Sequence, residues 1–392
     1  MISDEINEFS SKNQIQSFVS EVLFPLTVMQ FVSFSPKFYI RSSFVRPNGI
    51  LTNFILCLIT AVVFVSFGYF SYFHIKGMTS DVTDVLLYVY IFLFFIYALG
   101  YLVNAVVVVL QSPINVGLLI RIDVIERNLK IKKIEKRRLV IENWVLCIFV
   151  ILFHISNSYV QFFYATASCV DISLSVFIVI PWDLNVIYST IMVRLLRRQT
   201  DTWILNLKSL LKATHSSESF QNFHWKAILI AYLNIIDSYT ICEKITEITI
   251  IYHMIITFVQ FIINVQTLIV VMEFMPICNA ITIIFQVKSF NVVLILCILW
   301  TIKHTILLLL ICIECDKLYT SLKNSQVECL ATVYENCTNI GRLTCKRLRK
   351  EAEKKLQPMI AKGCFTVNLT LPLQIFSIVA TYTVVLLQFN FL

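Results

Sequence analysis

Seven runs of apolar residues, each long enough to cross a hydrocarbon core, constrain this 392-residue chain more than any other feature. They cover roughly 50–73, 85–110, 143–165, 170–193, 248–272, 291–313 and 366–391. Lipid offers no partner to a main-chain N–H or C=O, so runs of this length resolve into helices that satisfy their own backbone. The expected fold class is therefore an all-α membrane protein with seven transmembrane helices. Composition agrees. Apolar residues make up 58% and charged residues 14% of the chain, where a soluble domain has about half and a quarter.

The distribution of Lys and Arg orients the spans. Four precede the first run, eight lie in 111–142, seven in 194–247 and ten in 314–365. The intervening loops hold only Lys76 and Lys288, and Lys303 lies inside a run. Positive charge stays inside, so the N-terminus is expected in the cytoplasm and, after seven crossings, the C-terminus outside. The acidic start (Asp4, Glu5, Glu8) does not fit a signal peptide, so the first span is expected to direct its own insertion. Segment 22–34 is apolar but short and carries Pro25, which predicts an interfacial or re-entrant helix. In 316–348, Leu318, Leu322, Leu330, Val333, Cys337, Leu343 and Leu348 recur near helical spacing, and 225–247 has a similar apolar face. Both predict long helical extensions packed together below the membrane. Gly and Pro are scarce and no repeat is visible, so residues 1–392 are expected to form one domain.

Several function classes fall away. The net charge of +8 sits in the loops, where topology requires it, and gives no reason to expect nucleic acid. No P-loop, GxSxG or HExxH motif is present, so neither an enzyme nor a cofactor nor a metal is expected. Cys312 and Cys315 form a CxxC with no second pair, which does not make a zinc site. Most of the twelve cysteines lie in spans or in loops assigned to the cytoplasm, where thiols stay reduced. Cys169 and Cys278 both fall on the outer side; whether they pair is open on sequence alone.

Three groups of residues stand out against the apolar background. The last span carries a polar stripe: Thr366, Thr370, Gln374, Ser377, Thr381 and Gln388 fall within roughly 80° of one another at about 100° per residue. Such a stripe must face protein or water, and several copies around an axis would enclose a path. Asp183 and Lys303 lie inside the fourth and sixth spans at similar depth and form a candidate intramembrane pair. Tyr88, Asn157, Gln161, Gln260, Asn264, Trp300 and His304 gather toward the outer ends of their spans. They are candidate ligand-binding residues, because a small-molecule site needs apolar walls and a few convergent polar groups.

At the end of the striped span, Thr381-Tyr382 is followed after five residues by Gln388-Phe389. This TY-x5-QF pattern, preceded by Gly363-Cys364-Phe365, resembles the signature of insect gustatory receptors, down to its place in the last of seven spans. The resemblance implies a tastant-gated, non-selective cation channel at the plasma membrane of sensory neurons, built as a homo- or heterotetramer among membrane lipids. It implies a pore lined by the last helix, an outward-opening small-molecule site and an anchor made of the inner ends of spans four to six. Gln388 and Phe389 map to the outer constriction, and Thr381 to the pore face with Thr370, Gln374 and Ser377; Tyr382 turns toward packing. Sugar-receptor members tend to have Glu after the TY pair; Thr383 here favours a bitter-type or divergent ligand. Insect odorant receptors share the architecture but generally lack this motif. A G-protein-coupled receptor has the same span count, yet needs the opposite loop charge bias.

Overall fold

The computed structural model describes residues 17–41, 44–78, 84–129, 133–164, 169–212, 218–274, 280–334 and 339–391. Its helices are α1 (Ser17–Val32), α2 (Ile50–Met78), α3 (Asp84–Leu129), α4 (Lys133–Tyr164), α5 (Cys169–Lys212), α6 (Glu218–Phe274), α7 (Ala280–Tyr334), α8 (Asn339–Lys355) and α9 (Thr370–Phe391). Seven of them, α2 to α7 and α9, are long and apolar enough to cross a membrane. The chain is a multi-pass, all-α membrane protein. The sequence places α1 from residue 22; it begins earlier, at Ser17. Its face of Phe18, Val19, Val22, Leu23 and Leu26 is buried in the core, and Asn143 of α4 donates to the Val22 carbonyl at 2.9 Å.

Helices α3 to α7 run well past the hydrocarbon length. Their extensions hold few breakers and keep an apolar face, so the helices continue and pack side by side. Trp203 is fully buried there; it donates to the Ile228 carbonyl at 3.0 Å and lies against Tyr232, whose hydroxyl meets Ser325 at 3.0 Å. Helix α8 closes the bundle with Gly341, Cys345, Leu348 and Ala352 on its buried face and charges elsewhere. Asp237 takes Arg121 at 2.7 Å and Lys355 at 2.8 Å, tying α6 to α3 and α8. The middle helix is α5, buried on nearly all sides and packed against α1, α2, α3, α4, α6 and α7.

Two short antiparallel hairpins were not foreseen from sequence. The first pairs β1 (Tyr39–Arg41) with β2 (Phe44–Arg46). Just before β1, Lys37 is buried, with its amine 4.8 Å above the Tyr188 ring; burial pushes that amine down to about 7. The second hairpin pairs β3 (Ile360–Ala361) with β4 (Phe365–Thr366) immediately before α9. Its reversal uses Gly363 at φ +73°, a conformation that glycine adopts without strain. Glu243 of α6 accepts from the Ile360 amide at 3.1 Å, and Val367 donates to the Met359 carbonyl at 2.8 Å. The root of the last helix is thereby held to α6.

Candidate functional site

Three elements supply most of a buried polar cluster deep within the spans. Helix α4 contributes His154 and Asn157, α6 contributes His253, Gln260 and Asn264, and α7 contributes Trp300, Lys303 and His304. His154 and Asn157 lie three apart, His253, Gln260 and Asn264 seven and four apart, and Trp300 lies three and four before Lys303 and His304, so each set shares a face. Asp183 joins from α5, two residues after Pro181, where the ring removes one main-chain donor.

Lys303 Nζ sits 2.9 and 3.2 Å from the two carboxylate oxygens of Asp183, with the two side chains 0% and 1% exposed. His154 Nε2 lies 2.8 Å from Asp183 Oδ2. The ammonium also rests 4.1 Å over the Trp300 ring and 5.2 Å from that of Phe153, so aromatic faces meet the part of the cation the carboxylate leaves uncovered. A charge pair this deep is tolerable only because each member has close partners.

The same cluster holds most of the candidate ligand-binding residues. Trp300 Nε1 donates to Asn157 Oδ1 at 2.8 Å. Tyr97 donates to Gln260 at 3.3 Å, Gln260 to Asn264 at 3.0 Å, and Asn264 to the Thr301 hydroxyl. His253 donates to the His304 carbonyl at 3.1 Å, and the His304 ring lies against those of His253 and Trp300. Gln161 is half-buried one turn beyond Asn157. Tyr88 belongs to α3 by its backbone, but its side chain lies outside the described residues, as does the possible pairing of Cys169 with Cys278.

Some buried polar atoms of this cluster meet no protein partner. Both ring nitrogens of His304, Nδ1 of His154 and Nε1 of Trp182 are in this position among the described residues. Groups of that kind are ordinarily satisfied by water or by a polar ligand atom. The side chains beside them are aromatic: Trp300, Phe153, Tyr97, and Trp182 stacked on Tyr252 with centroids 3.8 Å apart. Gly100 lets Tyr252 approach α3, since a Cβ there would collide with the phenol oxygen, which donates to the Ile96 carbonyl. The arrangement suits a small, largely apolar molecule with an aromatic face and one or two hydrogen-bonding groups. His154, His253, Tyr97 and Trp182 were not singled out from sequence. The spacings His154, Asn157, Gln161 and His253, Thr257, Gln260, Asn264 carried the signal.

The polar stripe of α9 is outside this cluster. Leu371, Ile375 and Val379 form the buried face of the helix, against α6 and α7. Thr370, Gln374, Ser377, Thr381 and Gln388 are exposed, centred about 130° around the helix from that face. Asn368 caps the helix, its Oδ1 accepting from the Thr370 amide at 3.1 Å and the Thr370 hydroxyl at 2.6 Å. Thr381 and Thr383 return their hydroxyls to main-chain carbonyls one turn back, at 3.0 and 2.8 Å. Tyr382 points away from the stripe and packs edge-on against Phe258 of α6 at 5.8 Å; Phe376 meets Phe261 of α6 at 5.2 Å. Phe389 lies in α9, its side chain outside the described residues.

Helix α6 thus touches both features, with the cluster on one face and Phe258 and Phe261 on the other. No protein-family model matches the sequence. A 92-residue segment is 34% identical to gustatory receptor 68a of Drosophila melanogaster, covering 24% of this chain and 23% of that receptor. The chain therefore spans less than a quarter of the length of this curated relative in the match. Among solved structures, the olfactory receptor OR5 of Machilis hrabei superposes with a TM-score of 0.68 at 12% identity, over 94% of this chain and 98% of that one. The same receptor in complex with eugenol gives a TM-score of 0.61 at 13% identity, covering 96% of this chain and 100% of that one.

Proposed function

We propose that this chain is a member of the insect chemoreceptor family of gustatory and olfactory receptors and one subunit of a ligand-gated cation channel. A ligand of the class described above enters the cluster of His154, Asn157, His253, Gln260, Trp300 and His304. The observation that carries this reading is the position of α6 between that cluster and the last helix. A ligand that favours one placement of α6 biases Phe258 and Phe261, and through them Tyr382 and Phe376 of α9. Eugenol bound to the olfactory receptor is consistent with such a ligand. Around a tetramer axis the striped faces of four α9 helices meet, and exposed Thr370, Gln374, Ser377, Thr381 and Gln388 line the ion path. The N-terminus is cytoplasmic on the loop charge bias, and residues 1–392 act as one unit. On the TY-x5-QF ending we read the protein as a taste receptor of sensory neurons, and on Thr383 as one for a bitter-type or divergent ligand rather than a sugar.

The test is uncoupling. In cells expressing the chain, currents are recorded against a panel of small aromatic tastants that includes eugenol. Phe258→Ala is expected to leave surface expression in place while cutting the maximal ligand-evoked current several-fold. Currents unchanged by Phe258→Ala and by Tyr382→Ala would break the link between the cluster and the last helix.

A further inference from the structure

A second polar site lies at the basic end of the spans. Between α4, α5 and α7 is a cleft of about 420 Å³, lined by Arg138, Glu142, Arg194, Arg197, Arg198, Glu314 and Lys317, with Ile141, Val145 and Leu146 at its side. Five of these side chains are cationic and two anionic, and the carboxylates are already shared. Glu314 accepts from Nε of Arg194 and of Arg197, both at 3.0 Å. Glu142 accepts from Arg138 at 2.8 Å and from Arg194 at 3.5 Å. Positive charge is left over even with Asp201 3.6 Å from Arg197, and its geometry is fixed, because Arg194 and Arg197 are held by their Nε edges. Arg198 Nε is buried and meets no hydrogen-bond acceptor among the described residues, and Lys317 forms no ion pair among them.

The side wall says what kind of anion fits. Ile141 and Val145 are 62% and 59% exposed, and Ile148, Leu152 and Ile155 continue the same face of α4 up the span. Spacings of four and three keep these side chains on one line, so an apolar track leads from the cleft along the membrane-facing surface. A soluble anion has no use for that track. We infer that the cleft binds an anionic phospholipid of the cytoplasmic leaflet, with a phosphorylated headgroup among Arg194, Arg197, Arg198 and Lys317 and an acyl chain along Ile141, Val145 and Ile148. Guanidinium groups match phosphate oxygens in two-pronged geometry, and basic pockets between spans on the cytoplasmic side suit phosphoinositide headgroups.

The experiment uses the full-length protein in phosphatidylcholine nanodiscs and needs no current, so its outcome is independent of the channel reading. Binding of dioctanoyl phosphatidylinositol 4,5-bisphosphate is titrated beside inositol 1,4,5-trisphosphate and dioctanoyl phosphatidylcholine. The bisphosphate lipid is expected to saturate one site per protomer, more tightly than the trisphosphate, with no saturable binding of the choline lipid. Arg198→Gln with Lys317→Gln is expected to weaken it roughly 30-fold. Ile141→Ser with Val145→Ser is expected to weaken the lipid and leave the trisphosphate unchanged. Lys317 is exposed, so Lys317→Gln alone serves, with an expected loss of several-fold, should the double variant not elute as folded protein. Absence of saturable lipid binding, or binding insensitive to both charge variants, overturns the site. Equal affinity for the trisphosphate overturns the lipid assignment in favour of a soluble phosphate.

Discussion

Removing the charge of Asp183 or of Lys303 alone is expected to destabilise the folded protein by roughly 3–5 kcal/mol, and removing both by less than the sum. The reason is their burial: neither side chain reaches solvent, and each is the nearest opposite charge of the other at 2.9 Å. Asp183→Asn leaves a buried ammonium with an amide oxygen and the Trp300 and Phe153 rings but no opposite charge. Lys303→Met strands a carboxylate that still has His154 at 2.8 Å, so it is expected to be the milder of the two. Thermal unfolding in detergent, beside surface expression, reads the series Asp183→Asn, Lys303→Met and the double variant. Losses that add in the double variant would mean that the pair is not energetically coupled.

Replacing Gln388 with Glu is expected to change ion selectivity more than any other single substitution on the last helix. Gln388 is exposed, shares the stripe of Thr370 and Ser377, and is the last polar position of the TY-x5-QF ending. A ring of amides offers carbonyl oxygens without fixed charge and discriminates weakly among monovalent cations. A ring of carboxylates at the same level concentrates divalent cations, so calcium permeability relative to sodium is expected to rise several-fold. Phe389→Ala is expected to raise current without ligand, because an apolar ring at a constriction blocks by dewetting. Unchanged reversal potentials and an unchanged resting leak at normal surface expression would take both residues out of the ion path.

Much of the architecture was legible because one rule governs it: seven apolar runs of membrane length became seven helices, α2 to α7 and α9. Their ends were less legible. The second run stops near residue 110, where hydropathy falls, yet α3 continues to Leu129. Its extension is amphipathic rather than helix-breaking, and it buries Leu118, Leu119, Ile122 and Ile125 against its neighbours. The β3–β4 hairpin escaped notice because strands of two residues leave no periodicity, although Gly363 marks their turn. Within the buried cluster, the residues odd for their surroundings, Asp183 and Lys303, were visible as charges inside spans. His154 and His253 were not singled out: helical spacing puts each on the face of its polar neighbours, but only the packing of α4, α6 and α7 brings those faces together. Of the stripe, Thr370, Gln374, Ser377, Thr381 and Gln388 lie on α9 and are exposed, whereas Thr366 falls in β4, because the helix begins only after its Asn368 cap.

The water accessibility of that stripe tests the central claim most directly. Single cysteines are placed at Thr370, Gln374, Ser377 and Thr381, and at two references, in a chain whose exposed Cys57 and Cys364 are replaced by serine. Val379, 6% exposed, is the buried reference. Leu387, 38% exposed in the protomer, lies about 100° from the stripe's centre and is the lipid-side reference. With the assembled protein in nanodiscs, a charged, membrane-impermeant thiol reagent is expected to label the four stripe positions at least tenfold faster than either reference. Equal labelling of Leu387 and the stripe, or no labelling of the stripe in correctly assembled protein, would contradict a pore lined by the last helix.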